Sequence, residues 1–245
     1  TEALLYKAGA TRKLGRVDHG DAFLDTAALA KARGITIFAK QAVLRLPDAE
    51  TELTLLDTPG PVDFPAEKER TLPVLDYAVL VVSGTDGVQA HTETLWRLLA
   101  RYRVPVFLFV NKMDLPGPGR AALLAELKAR LSENCVDFAP EGAAARGEAL
   151  ALCSEALLEA ALAGRQPADA EIAAAAAARQ VFPVYWGAAL KTEGVGALLA
   201  GLAAYTQAKP AGAAFAAQVF KVSADEAGKR LTWLKVTGGT LPVKT

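Results

Sequence analysis

The sequence predicts an α/β protein built on a doubly wound, mainly parallel sheet and followed by the start of a β-barrel. Three observations carry this. Apolar runs at 77–82, 104–110 and 182–186 alternate with helical stretches, and strands covered by helices on both faces read as continuous apolar segments. Two strand-like runs end in polar loops, Asp57-Thr58-Pro59-Gly60 and Asn111-Lys112-Met113-Asp114, and open α/β sheets bind ligands at the carboxyl ends of their strands. The composition changes at Lys209-Pro210-Ala211-Gly212, after which 218–223 and 230–236 look like strands of a new all-β unit. The expected division is 1–209 for the α/β domain and 210–245 for an incomplete barrel.

Taken in order, Leu4, Leu5 and Ala8 form a helical face that stops at Gly9, a glycine suited to a helix end. Residues 10–32 are polar and irregular. Residues 38–46 read as a strand, 47–50 as a turn and 53–56 as its antiparallel partner, from their apolar spacing and the Pro-Asp between them. A short helix is expected over 67–75, a longer amphipathic one over 92–102, and several helical pieces over 121–178. The alanine runs in that last segment need only helix propensity to explain them. Breaks fall near Pro140-Glu141-Gly142 and between Gly164 and Pro167, and a last helix carries Leu198, Leu199 and Leu202.

Lys and Arg total 27 and so do Asp and Glu, so no bulk charge marks the chain for nucleic acid or a membrane surface. No apolar run approaches the ~20 residues of a membrane-spanning helix. Cys135 and Cys153 lack metal-ligand spacing and read as reduced thiols in a cytoplasmic protein. His19 and His91 read as surface residues without catalytic duty, and Trp96 and Trp186 as packing residues.

The chemistry concentrates in three segments. Asp57 at the end of a strand is placed to hold Mg²⁺ through its carboxylate, and Gly60 offers an N–H to a terminal phosphate with no Cβ in the way. Asp114 carries two carboxylate oxygens suited to the paired N1–H and N2–H donors of guanine, a pair that adenine lacks. Asn111 would brace that loop and the Lys112 stem would lie along the base. Thr36, in Gly34-Ile35-Thr36-Ile37, offers a hydroxyl to the metal and an N–H to a γ-phosphate, the arrangement of a loop released on hydrolysis.

Together these segments resemble the G domain of translational GTPases, whose fold is that of the P-loop GTPases. Arg33-Gly34-Ile35-Thr36-Ile37 resembles its switch I, and Asp57-Thr58-Pro59-Gly60 with Val62-Asp63-Phe64 its switch II. Asp86-Gly87-Val88-Gln89 and Asn111-Lys112-Met113-Asp114 match as well, and Val219-Phe220-Lys221 resembles the opening of domain II. Gly187-Ala188-Ala189-Leu190 looks like the last guanine motif, with Ala188 where the family usually has serine. The Ala189 N–H would remain available for guanine O6. The resemblance implies GTP/GDP and Mg²⁺ as ligands, with Thr36 and Asp57 on the metal. GTP binding would involve Thr36, Asp57, Gly60, Asn111, Lys112, Asp114, Ala188, Ala189 and Leu190. It also implies the ribosome, its rRNA and proteins, as partner of the full-length protein.

Within the family the chain is most similar to the tetracycline ribosomal-protection proteins, from Thr1-Glu2-Ala3-Leu4-Leu5-Tyr6 and Phe182-Pro183-Val184-Tyr185. The segment 115–187 is shorter than the insert of elongation factor G, which leaves an elongation factor G-like translocation GTPase as the second reading. A third is a GTP-dependent switch with little hydrolysis.

Two departures stand out. The spacing from Gly15 to Ala22 imitates a phosphate loop, but Asp21 and Ala22 stand where lysine and a metal-binding hydroxyl are required. The phosphate loop is therefore expected before Thr1, in a longer protein of which this chain is a part. Pro61 stands where the family usually carries a histidine that places the attacking water, so no residue is assigned as certainly catalytic. Proline has neither a polar side chain nor an N–H, and phosphoryl transfer depends on positioning. Single-turnover GTP hydrolysis by the full-length protein should accordingly show weak stimulation by ribosomes, and Pro61→His should raise it. Strong stimulation that Pro61→His leaves unimproved would refute this.

Overall fold

A computed structural model describes residues 1–15, 40–45, 52–58, 69–224 and 227–243. Its centre is a parallel sheet in the order β3-β4-β6-β5, with β3 Ala78–Ser83, β4 Val106–Asn111, β5 Cys135–Asp137 and β6 Phe182–Trp186. Strands β1 Lys40–Arg45 and β2 Glu52–Asp57 form a separate antiparallel ribbon in which Lys40 pairs with Asp57 and Arg45 with Glu52. Strands β7 Ala216–Ala224 and β8 Arg230–Gly238 form a second antiparallel ribbon, irregular near Ala216 and Val219.

Strand β4 explains why the sheet is wound on both sides. Its alternate residues Phe107 and Phe109 enter one core, and Val106, Leu108 and Val110 enter the other, because side chains alternate across a strand. The first core is closed by α1 Glu2–Lys7, α4 Ala143–Ala151, α5 Glu155–Leu162, α6 Asp169–Ala177 and α7 Val195–Tyr205, together with the β1–β2 ribbon. The second is closed by α2 Ala90–Arg101 and α3 Arg120–Arg130. Trp96 of α2 meets Phe182 edge-on at 4.6 Å, a favoured aromatic geometry. Cys135 and Cys153 are free thiols, and burial pushes the Cys135 thiol up to about 12.

Two expectations need revision. The 121–178 segment is not wholly helical: β5 inserts between α3 and α4 and pairs Cys135 with Phe182 and Asp137 with Val184. So short a run is too brief to show periodicity, and only the neighbouring β6 makes it a strand. The short helix expected over 67–75 appears as a helical turn at 69–71 leading into a 3₁₀ turn at Leu72–Val74, since Pro73 cannot donate an N–H to a longer helix. The ribbon β7–β8 is tied to the main body by Lys235, whose ammonium reaches the Val74 carbonyl at 2.9 Å and Asp76 Oδ2 at 2.6 Å. Among the described residues no helix is long and apolar enough to cross a membrane.

Tyr185 carries an anomaly. Its ring packs between Phe107 and Phe138, but among the described residues its buried hydroxyl has no hydrogen-bond partner. A desolvated hydroxyl without a partner is a liability rather than a contribution. Tyr185→Phe is expected to raise the unfolding free energy by about 1 kcal/mol, read from denaturant midpoints at constant slope. A clear loss of stability would show that the hydroxyl is paired.

Candidate functional site

Strands β3, β4 and β6 are parallel, so their carboxyl ends open on one edge, and the loops 84–87, 111–117 and 187–194 meet there. Burial holds β4 up to Val110 and leaves Asn111 half-buried at the exit. Lys112 then takes a left-handed backbone, φ 64°, an uncommon state for a residue with a side chain. Beyond that turn, the Met113 N–H donates to the Gly187 carbonyl at 3.0 Å and the Leu115 N–H to the Lys112 carbonyl at 3.1 Å. Asn111 Oδ1 accepts the Ala189 N–H at 2.9 Å. Lys191 Nζ stands 3.0 Å from Asp114 Oδ2.

Contacts from Met113, Ala189 and Lys191 thus stitch together the two loops that the sequence assigns to guanine. The Lys191 contact holds the Asp114 carboxyl below the usual carboxylate range and raises the Lys191 ammonium in turn. Ala188 is buried, Ala189 half-buried and Leu190 exposed. The Ala189 N–H differs from expectation, because it is not open but donates to Asn111. No local pattern signals this, since the pairing depends on β4 and β6 lying side by side. A base placing O6 at Ala189 would share that N–H with Asn111.

The return of the 187–194 loop rests on a close approach. Gly194 has φ 72°, and a Cβ there would overlap the Trp186 carbonyl oxygen. A Cβ at Gly187 would overlap the Glu193 carbonyl oxygen. Only glycine lets the two arms of the loop touch in this way.

Beneath the loop lies a network that sequence reasoning missed. Trp186 Nε1 donates to Asp137 Oδ1 at 2.9 Å. Asp137 also accepts the Ala139 N–H at 2.8 Å and Arg120 Nη2 at 3.1 Å. The Arg120 guanidinium sits 5.4 Å from the centre of the Trp186 ring, within cation–π reach. Asp137 went unnoticed because it belongs to β5. A carboxylate directly after the apolar pair Cys135-Val136 was the available signal.

Asp57 closes β2 and its Oδ1 accepts the Thr1 hydroxyl at 2.5 Å. A hard carboxylate oxygen at a strand end suits Mg²⁺, which takes one or two protein carboxylates and draws its other ligands from phosphate and water. The described residues include no cluster of three metal-binding side chains, and such a metal requires none. Asp86, in the loop after β3, accepts Ser83 Oγ at 2.6 Å and Thr85 Oγ1 at 3.1 Å. These hydroxyls, Ser83 first, hold its carboxyl below the usual range. The structure brings together Asn111, Lys112, Asp114, Ala188, Ala189 and Leu190, and places Asp57 on the separate β1–β2 ribbon. Thr36, Gly60 and Pro61, as well as the Gly15–Ala22 spacing beyond Gly15, lie outside the described residues.

Residues 1–208 match the family described as the Elongation factor Tu GTP binding domain. The chain belongs to that family. Its similarity extends to the tetracycline resistance protein TetM of Streptomyces lividans, 36% identical over 98% of this chain and 41% of that protein. The tetracycline resistance protein TetO of Campylobacter jejuni is 32% identical over the whole chain and 40% of its own length. Among solved structures, a protein from Thermus thermophilus superposes with a TM-score of 0.85 at 26% identity, over 97% of this chain and 43% of the other. The chain thus spans about two-fifths of the length of these relatives.

Gly194→Ala should lower the unfolding free energy by about 1 kcal/mol or more, since it adds both a backbone overlap and an unfavourable φ. An unchanged denaturation midpoint would mean that the loop is not held as described.

Proposed function

We propose that the chain is the nucleotide-reading part of a GTP-binding translational factor of ribosomal-protection type, acting in the cytoplasm on the ribosome through the full-length protein. The observation that carries this is the pair of loops 111–114 and 187–194, fastened to each other with the Asp114 carboxylate held ionised beside them. Asp114 selects guanine by accepting N1–H and N2–H. Asn111 braces the loop, Lys112 lies along the base, and the 188–190 turn faces O6. Asp57 and Thr36 hold Mg²⁺, and Gly60 senses the γ-phosphate. GTP hydrolysis to GDP and phosphate is the reaction proposed.

The similarity to TetM and TetO over nearly the whole chain supports ribosomal protection over translocation. Pro61 favours a second reading, in which GTP serves mainly as a conformational ligand because the water-placing side chain is lost. Release of tetracycline from ribosomes, measured against promotion of tRNA movement, separates protection from translocation.

The guanine assignment is tested in the full-length protein with Asp114→Asn. Asparagine presents an N–H₂ in place of one acceptor, so GTP affinity should fall by about 100-fold, the size expected when charge-assisted hydrogen bonds to the base are lost. XTP affinity should rise. A variant that keeps its preference for GTP would overturn the assignment.

A further inference from the structure

We propose that Lys191 is a positioning residue for base recognition, one that fixes the Asp114 carboxylate in the orientation that reads guanine. The inference rests on the guanine reading above and adds to it a residue outside the set assigned to GTP. Lys191 ends the short 3₁₀ turn Ala189–Lys191, and Thr192 follows with a left-handed backbone, φ 60°. That turn is closed by the Lys191 N–H on the Ala188 carbonyl at 2.9 Å and the Thr192 N–H on the Ala189 carbonyl at 3.0 Å. The backbone of residue 191 is therefore fixed, and its side chain crosses to the neighbouring loop.

The stoichiometry of the carboxylate favours positioning over competition. An ionised carboxylate offers about four lone-pair positions. Lys191 engages Oδ2. The positions that remain are more than the two that the paired N–H donors of guanine require. The Asp114 side chain is 20% exposed and that of Lys191 56%, so the pair stands at the rim of the site.

An exposed ion pair contributes little to folding stability, but orientation is another matter. With its χ angles unrestrained, Asp114 would sample rotamers that present a single oxygen to the base. The other cross-loop contacts, Met113 to Gly187 and Ala189 to Asn111, fix the backbones of the two loops. Lys191 is the contact that fixes the reading group itself. Glu193, also in the loop, adds a favourable field at the ammonium, but the ion pair formed is with Asp114.

The test uses the full-length protein with fluorescently labelled GDP in stopped-flow dissociation, comparing wild type, Lys191→Met and Lys191→Arg. Methionine keeps most of the stem and removes the charge. Lys191→Met should speed GDP release by about tenfold, as expected when one charge-assisted hydrogen bond is lost, with the association rate nearly unchanged. Its preference for GDP over ADP should shrink in step, and Lys191→Arg should restore both. A thermal midpoint equal to wild type shows that the effect is not one of folding. GDP release from Lys191→Met at or below the wild-type rate would overturn the proposal and show that lysine competes with the base. Wild-type protein that binds GDP no better than ADP would overturn the guanine reading, and this proposal with it.

Discussion

The burial of β4 on both faces is the constraint from which the rest of the architecture follows. Phe107 and Phe109 point into one core, and Val106, Leu108 and Val110 into the other. Its backbone is paired with β3 on one side and β6 on the other. A strand enclosed in this way meets solvent only at its ends, so the polar residues following Val110 have one place to go. Removing a single large side chain from such a position costs about 3–5 kcal/mol, a large share of the roughly 5–15 kcal/mol that separates folded from unfolded domains. The position of Asn111 is thus secured by the core and needs no contact of its own.

The loops beyond the sheet are held by different physics. Hydrogen bonds from Met113 and Ala189, the ion pair of Lys191 with Asp114 and the close approach at Gly194 fasten one loop to the other. None of these contacts is large by itself. Together they tie the Asp114 carboxylate to the neighbouring loop and favour its ionised form, which in the proposed site would lower the ordering cost of binding. Beneath them Trp186, Asp137 and Arg120 form a polar network at the end of the core, where an unpaired indole N–H or carboxylate would be costly. Rigid support below and a charged, partly exposed rim above are what the proposed guanine site would draw on.

Much of the fold was legible because its determinants are local. The apolar runs of β3, β4 and β6, the antiparallel pairing of β1 with β2, the helices between them and the switch to antiparallel strands after Pro210 all follow from spacing and turn residues. The candidate guanine loop Asn111–Asp114 could be picked out because one carboxylate at a strand end is the chemical complement of one edge of guanine. Strand β5 was not legible, since Cys135-Val136-Asp137 becomes a strand only through the distant Phe182-Pro183-Val184. The network around Asp137 was lost along with it.

The sequence by itself determined which side chains are available for chemistry and which segments alternate between strand and helix, because composition and periodicity are properties of neighbouring residues. Tertiary structure alone decided who meets whom. It gave the Ala189 N–H to Asn111, set Lys191 against Asp114, and packed the Tyr185 ring against Phe107 and Phe138 with its hydroxyl lacking a partner among the described residues. Each of these depends on strands or loops far apart in sequence being brought within a hydrogen bond's length or a ring's width of one another, and no local pattern encodes a distance across the sheet.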